Sequence, residues 1–223
     1  MQFSVKYLST ALFSLKDSNS TNSGAKALFL PSPYAVKMAI LNQAIAIGGE
    51  LEKLEKKKSK EFGFIRDAEV RYYIAKDSYF CVNNSFIKIL KPNRNGDGFA
   101  QTVAFREYLH LSNPLEIIFD VEKKEAKDYL MKYLHKINYF GKRGCFFQFR
   151  EYSDIPSEAN VRVFQAGLIA SGVLQEYDDF DPSVTFENVS NYSSKNTKRK
   201  KQIMVMPLES ISSSKGYTLY KSF

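Results

Sequence analysis

Apolar and polar residues alternate at the start of the chain. Phe3, Val5 and Tyr7 are separated by Ser4 and Lys6, the period of two that marks a half-buried strand. A polar stretch, KDSNSTNSGAK (16–26), reads as a loop. LFLPSPYAVKMAILNQAIAIGG then predicts a helix, with Ser32 placed to cap it, Pro33 suited to its first position and Gly48-Gly49 placed to stop it. The helix is apolar almost all round, so it belongs in a core against a sheet. LEKLEKKKSKE (51–61) carries both signs of charge and reads as a solvated extension of that helix. YFCVNNSFIKIL (79–90) is strand material, KPNRNGDG (91–98) is a basic turn-rich loop, and FAQTVAFREYLHL (99–111) returns from it as the second arm of a hairpin. Leu115, Ile117, Phe119 and Val121 alternate as another strand. A second helix starts near Asp120: Ala126, Tyr129, Leu130, Tyr133, Leu134 and Ile137 fall on one helical stripe. Gly141 is read as its end, and 144–150 as the next strand.

Strand, helix, strands, helix, strand is the order of a ferredoxin-like βαββαβ domain of the α+β class, the plan also of RNA-recognition domains. Beyond residue 150 the periodicity weakens. VRVFQAGLIASGVL (161–174) has apolar stretches, YDDFDPS is an acidic turn, and NYSSKNTKRKK is a polar, basic loop. QIMVMPLES and GYTLYKSF close the chain as short strands. The reading is a ferredoxin-like domain over 1–150, with the hairpin as a thumb, and a smaller β-rich extension over 151–223. There is no internal repeat.

Composition narrows the class. The 223 residues are 44% hydrophobic and 25% charged, with 18 Phe and 14 Tyr, which suits a folded soluble protein rather than a disordered one. The net charge of +8 makes nucleic acid or an anionic surface a plausible partner. Cys81 and Cys145 both sit among apolar neighbours and read as small core residues, in keeping with a reduced, cytoplasmic compartment. Two cysteines and two histidines do not fall at ligand spacing, so no metal site and no cofactor is expected. No stretch has the apolar length to span a bilayer.

The candidate chemistry centres on NYFGKRGCFFQF (138–149). Gly141 and Gly144 flank Lys142 and Arg143. Glycine lets backbone approach a phosphate closely, and the two cations add attraction, Arg through two hydrogen bonds. A plainer reading is a helix C-terminus, where glycine stops the helix and basic residues suit its dipole. Arg106 and Tyr108 fall on one face of a strand, a pairing that holds a phosphate and stacks a base, or is simply a solvated strand surface. Lys91 and Arg94 lie near the hairpin tip. KNTKRKK (195–201) is a disordered loop or a non-specific phosphate grip. Catalytic signals are sparse: no GxSxG, Walker or HExxH pattern occurs. His110, near Arg106 and Tyr108, is the one candidate base, for RNA cleavage without a metal. Asp178, Asp179 and Asp181 read as a turn before Pro182.

In their order along the chain, these segments resemble the Cas-five family of RAMP proteins, subunits of CRISPR Cascade effectors. LPSPYAVKMAILNQAI is similar to the family's proline-serine-proline entry into an alanine-rich helix, and TVAFREYLHLSNPLEIIF to its arginine-tyrosine-leucine segment before a strand. YFGKRGCFFQF resembles its glycine-rich basic loop. The resemblance implies an RNA-binding subunit in antiviral defence that holds the five-prime handle of the CRISPR RNA (crRNA). It implies contacts with the large and backbone subunits and a hairpin thumb over the guide. It carries RNA contacts onto Gly141, Lys142, Arg143, Gly144, Arg106 and Tyr108, with Lys91 and Arg94 at the thumb. Target DNA is then met indirectly, through pairing with the RNA. One branch of the family cleaves precursor crRNA. Here the stretch before Gln101 has no histidine and His110 lies later, so the expectation is a binding protein rather than an enzyme, with endoribonuclease activity as the alternative.

Overall fold

The first alternating segment forms strand β1 (Gln2–Ser9), with Phe3, Val5 and Tyr7 fully buried. In the computed structural model, residues 1–21, 24–93, 96–189 and 198–223 are described. In and around the polar loop lie three two-residue strands, β2 (Leu15–Lys16), β3 (Gly24–Ala25) and β4 (Ala27–Leu28). Helix α1 (Pro33–Ala46) starts as its sequence dictates: the Ser32 hydroxyl accepts from the Ala35 N–H at 3.1 Å, with Pro33 behind it. The charged stretch after it is not one helical extension. It breaks into α2 (Leu51–Leu54) and α3 (Lys60–Arg66), because Leu54, Phe62 and Ile65 all reach the core and Ser59 caps a new helix start.

Strand β5 (Glu69–Tyr73) follows, then the hairpin arms β6 (Tyr79–Pro92) and β7 (Phe99–Leu111), and β8 (Leu115–Asp120). Helix α4 (Lys124–Leu134) buries the expected stripe from Ala126 to Leu134, with Ile137 buried beyond it. It begins after Asp120, which belongs to β8, and stops well before Gly141. Strands β9 (Phe147–Ser153), β10 (Arg162–Val163) and β11 (Val173–Phe180), helix α5 (Phe186–Val189), and strands β12 (Arg199–Met206), β13 (Leu208–Ser213) and β14 (Tyr217–Ser222) complete the chain. Of the acidic segment, Asp178 and Asp179 are strand residues; only Asp181 makes the turn, accepting from the Ser183 N–H at 2.9 Å. No described helix is long and apolar enough to cross a membrane.

Four strands form an antiparallel sheet in the order β5-β8-β1-β9. Its second strand in chain order is β5. The hairpin read as a thumb lies in a separate five-stranded sheet, β13-β14-β6-β7-β3. One face of the first sheet is apolar, with Val5 and Tyr72 both opposite Ile117. On that side Tyr7 donates to the Leu134 carbonyl at 2.6 Å, the Lys127 ammonium lies over the Phe3 ring, and Tyr72 donates to the Pro31 carbonyl, which places α4 and the start of α1 over it. The other face carries Ser4, Lys6, Glu116 and Glu151. The chain after β9 crosses it, and the Ser157 N–H and hydroxyl both donate to the Glu116 carboxylate at 3.0 and 2.8 Å.

A third sheet, β10-β12-β11, packs its β11 strand on α1. β9 runs past residue 150 to Ser153, and β14 returns to pair with β6, Tyr217 opposite Asn83. One contiguous core runs from Phe3 to Leu208 and includes Tyr177, Phe180 and Met206 of the later strands.

Candidate nucleic-acid interface

The glycine-flanked loop is a closed turn. After α4 the chain buries Ile137 and Phe140, and a bridge between Tyr139 and Phe146 pins its two sides together. Inside it, the Phe140 N–H donates to the Cys145 carbonyl and the Cys145 N–H to the Lys142 carbonyl, both at 3.2 Å. Gly141 and Gly144 have φ of +68° and +102°, a region that side chains other than glycine's disfavour. A Cβ on Gly141 would also sit 3.0 Å from the Leu15 side chain. The helix-end reading of this segment therefore fails: α4 has ended at Leu134, and the glycines serve the turn.

The turn holds its cations outward. Cys145, at its base, is buried and sits 3.5 Å from the Ser14 carbonyl, so it is a core residue as expected; burial raises its thiol pKa. At the apex Lys142 and Arg143 are exposed. Neither side chain hydrogen-bonds or ion-pairs with a described residue. Two unmatched cations on a backbone fixed by buried anchors is what a phosphate contact requires.

Gly141 and Lys142 line a cleft of about 250 Å³ with Leu15, Lys16, Ser32, Tyr34 and Arg199. The turn and the proline-serine-proline segment, far apart in sequence, thus meet at one place, the start of α1. Arg199 lies 4.1 Å over the Tyr34 ring and pairs with Asp178 at 2.6 Å. Lys201 beside it pairs with Glu176 at 2.8 Å. Of the carboxylates lining the cleft, Asp178 and Glu176 are matched by the β12 cations and Asp17 accepts from the Asn19 N–H at 2.9 Å, while the Lys142 side chain has no hydrogen-bond or ion-pair partner among the described residues. Burial raises the Tyr34 pKa, and Arg199 acts against that.

Of the basic stretch 195–201, Arg199–Lys201 are strand residues rather than a loop, with Lys200 and Lys201 opposite Asp179 and Asp178 of β11 and Arg199 opposite Phe180, while residues 195–197 lie outside the described residues. Lys16, Tyr34 and Arg199 were not singled out by the sequence reading. The charge run contained Arg199, but only the β11–β12 pairing shows where it points.

Arg106 and Tyr108 occupy a different surface. They lie on β7, directly opposite Ser85 and Asn83 of β6, on the side of the sheet turned away from the core. His110 is exposed on the same side, opposite Cys81. The segment between β1 and β2 separates the two surfaces: Phe13 exchanges backbone hydrogen bonds with Leu109, and the Thr10 N–H donates to the Phe146 carbonyl. Lys91 is on β6 near the hairpin tip, opposite Ala100; Arg94 lies outside the described residues. The expected contacts therefore fall into two groups rather than one cluster.

No family model matches the chain. It is 23% identical over 196 residues to the CRISPR-associated protein Cas5 of Archaeoglobus fulgidus, covering 83% of this chain and 82% of that protein. Two solved structures align at a TM-score of 0.43. One is a CRISPR protein from Archaeoglobus fulgidus, at 14% identity over 100% of this chain and 92% of that one. The other is a chain of a CRISPR RNA-guided surveillance complex, at 13% identity over 92% and 88%. The proline-serine-proline helix entry, the arginine-tyrosine-leucine strand and the glycine-flanked basic turn follow one another in the order the resemblance requires. The Archaeoglobus alignment runs through most of both chains, so along most of its length this chain is similar to a CRISPR-associated protein Cas5.

Proposed function

We propose that this chain is a non-catalytic, RNA-binding subunit of a CRISPR effector complex that retains the five-prime handle of the crRNA. The observation that carries the reading is the turn at 141–144: two exposed cations without side-chain partners, held by a buried base over a cleft at the start of α1. A single-stranded handle needs phosphate contacts and stacking surfaces, not base-pair readout. Large and backbone subunits and crRNA are the partners in this reading, with target DNA engaged through the RNA. The order β5-β8-β1-β9, with α1 and α4 on one side, supports a ferredoxin-like core.

The test uses labelled repeat RNA in EDTA, run on native and denaturing gels. Retarded, intact RNA is the expected result. In the Lys142→Ala/Arg143→Ala variant affinity falls and the salt dependence weakens by about one unit of slope per lost phosphate contact. Unchanged affinity and slope would reject the reading.

One observation favours a second reading. His110 is exposed on the same sheet face as Arg106 and Tyr108, an arrangement able to support metal-independent RNA cleavage. A specific cut of the repeat in EDTA, abolished by His110→Ala, would make this the processing enzyme.

A further inference from the structure

In the four-stranded sheet, α1 and α4 cover one side, and the Ser157 segment crosses part of the other, where the Glu151 side chain stays 56% exposed. The five-stranded sheet differs. Its inner side is buried at Phe80, Val82, Leu109 and Leu111. Its outer side is set by register. Tyr217 stands directly opposite Asn83, and Asn83 directly opposite Tyr108, so the three form one row across β14, β6 and β7. Neighbouring strands are about 4.8 Å apart, which sets the two tyrosines roughly 10 Å from each other on one surface. The next row along β7 in one direction carries Arg106, and in the other His110.

Three features of this surface point to a single-stranded nucleic acid. Tyr217 is 38% exposed, with its hydroxyl 3.1 Å from the Ser212 hydroxyl, and Tyr108 is part-exposed, so neither ring is fully covered. Asn83 is fixed between them, its amide donating to the Tyr108 and Cys81 carbonyls at 3.3 and 3.4 Å, so the row is rigid. The charge is graded across the sheet. Arg106 lies on the β7 side, whereas the carboxylates Glu209 and Asp77 lie at the far edge around Lys221, which pairs with Asp77 at 2.8 Å. A sheet with two partly open rings, an arginine on one flank and acids confined to the opposite edge complements bases over the rings and a phosphate chain along β7.

We propose that the outer face of this sheet is a base-stacking platform for single-stranded RNA, with Tyr108 and Tyr217 as the stacking rings and Arg106 on the adjoining phosphate. This rests on the RNA-binding reading above and adds to it a second surface, on a different sheet from the glycine turn, that grips bases rather than backbone.

The two claims separate by salt. With a fluorescein-labelled eight-nucleotide single-stranded RNA titrated at several salt concentrations, Tyr108→Leu/Tyr217→Leu should weaken binding by about tenfold per ring, with the salt slope unchanged. Tyr108→Phe/Tyr217→Phe, which keeps both rings, should bind like the parent. An oligonucleotide carrying 5-iodouridine should, on irradiation, crosslink to peptides holding Tyr108 or Tyr217 in the unmutated protein, a readout independent of how well the variants fold. Binding by the leucine variant within threefold of the parent, with crosslinks elsewhere, overturns the platform while leaving the RNA reading intact. A reduced salt slope in the leucine variant overturns stacking as the mechanism. Loss of a protein subunit's capture with RNA affinity untouched makes the face a protein interface and overturns it too. An unmutated protein that holds no RNA at all defeats both claims.

Discussion

Lys37 of α1 and Asp179 of β11 form an ion pair at 2.7 Å, with the lysine side chain only 3% exposed. The same ammonium donates to the Arg66 carbonyl at 2.9 Å and lies over the Phe180 ring. A helix that looks apolar all round therefore carries one charge in its buried face, and that charge ties the first helix to the third sheet. Burial lowers the Lys37 pKa, and Asp179 acts against that shift.

Removing one partner leaves the other charge uncompensated. Lys37→Ala is expected to cost about 3–5 kcal/mol in urea unfolding, and Lys37→Met/Asp179→Leu to recover most of it. A double variant as unstable as the single would show that the lysine stem's packing, not its charge, is what matters.

The glycine turn predicts a difference between two similar substitutions. Gly141→Ala and Gly144→Ala each force a side chain into positive φ, which costs roughly 1–2 kcal/mol, but only at position 141 does the new Cβ also press on Leu15. Both should lower RNA affinity by distorting the apex, and Gly141→Ala should show the larger fall in melting temperature. Equal falls would mean that Leu15 moves aside freely.

Glu116 gives the acid side of the stability curve a defined contributor. Burial pushes its pKa up, but the neighbouring Ser4 hydroxyl, the Ser157 N–H and hydroxyl, and the Lys6 charge together outweigh burial and hold the carboxyl below the ordinary glutamate range. A native pKa below the unfolded one means that the stabilisation is fully present above the unfolded value, about 4.3. It is lost as pH falls through the lower native value. Glu116→Gln should therefore lower stability at pH 7 and flatten its fall below about pH 5, measured by urea midpoints across pH. An acid limb as steep as the parent's would remove Glu116 from this role.

The thiols should differ in accessibility to reagent. Cys145 is 1% exposed, and burial raises its pKa, whereas Cys81 is part-exposed on the outer face of the hairpin sheet. Ellman's reagent should find one reactive thiol in the native protein and a second only in denaturant. Two fast thiols would mean that the base of the glycine turn opens in solution.

What the sequence discloses follows from how local each signal is. The stripe from Ala126 to Ile137, the cap at Ser32 and the hairpin around residues 91–98 depend on near neighbours, and all three hold in the structure. β5 is only five residues long and follows a charged helix, so its alternation of Val70 and Tyr72 is too short to stand out. Which strands share a sheet is decided by partners distant in the chain, so the pairing of the hairpin with β14 is not legible in the sequence. The end of α4 was misread because Gly141 resembles a helix stop, while Ile137 and Phe140 are buried beyond the true one. The turn that exposes Lys142 and Arg143 is legible from their flanking glycines. The site of Tyr34 and Arg199 is not, since their meeting depends on β11 and β12 coming together over α1.

The pairing of β14 with β6 joins segments separated by more than half the chain. During synthesis the hairpin of β6 and β7 can close as soon as it emerges, since its contacts are local. One long side of β6 then stays an open strand edge until residues 217–222 arrive. Such an edge recruits other strands, and contacts this distant in sequence form slowly. The nascent chain is thus most exposed to misassembly in the interval when it already has its hairpin and still lacks the strand that completes the Tyr217–Asn83–Tyr108 row.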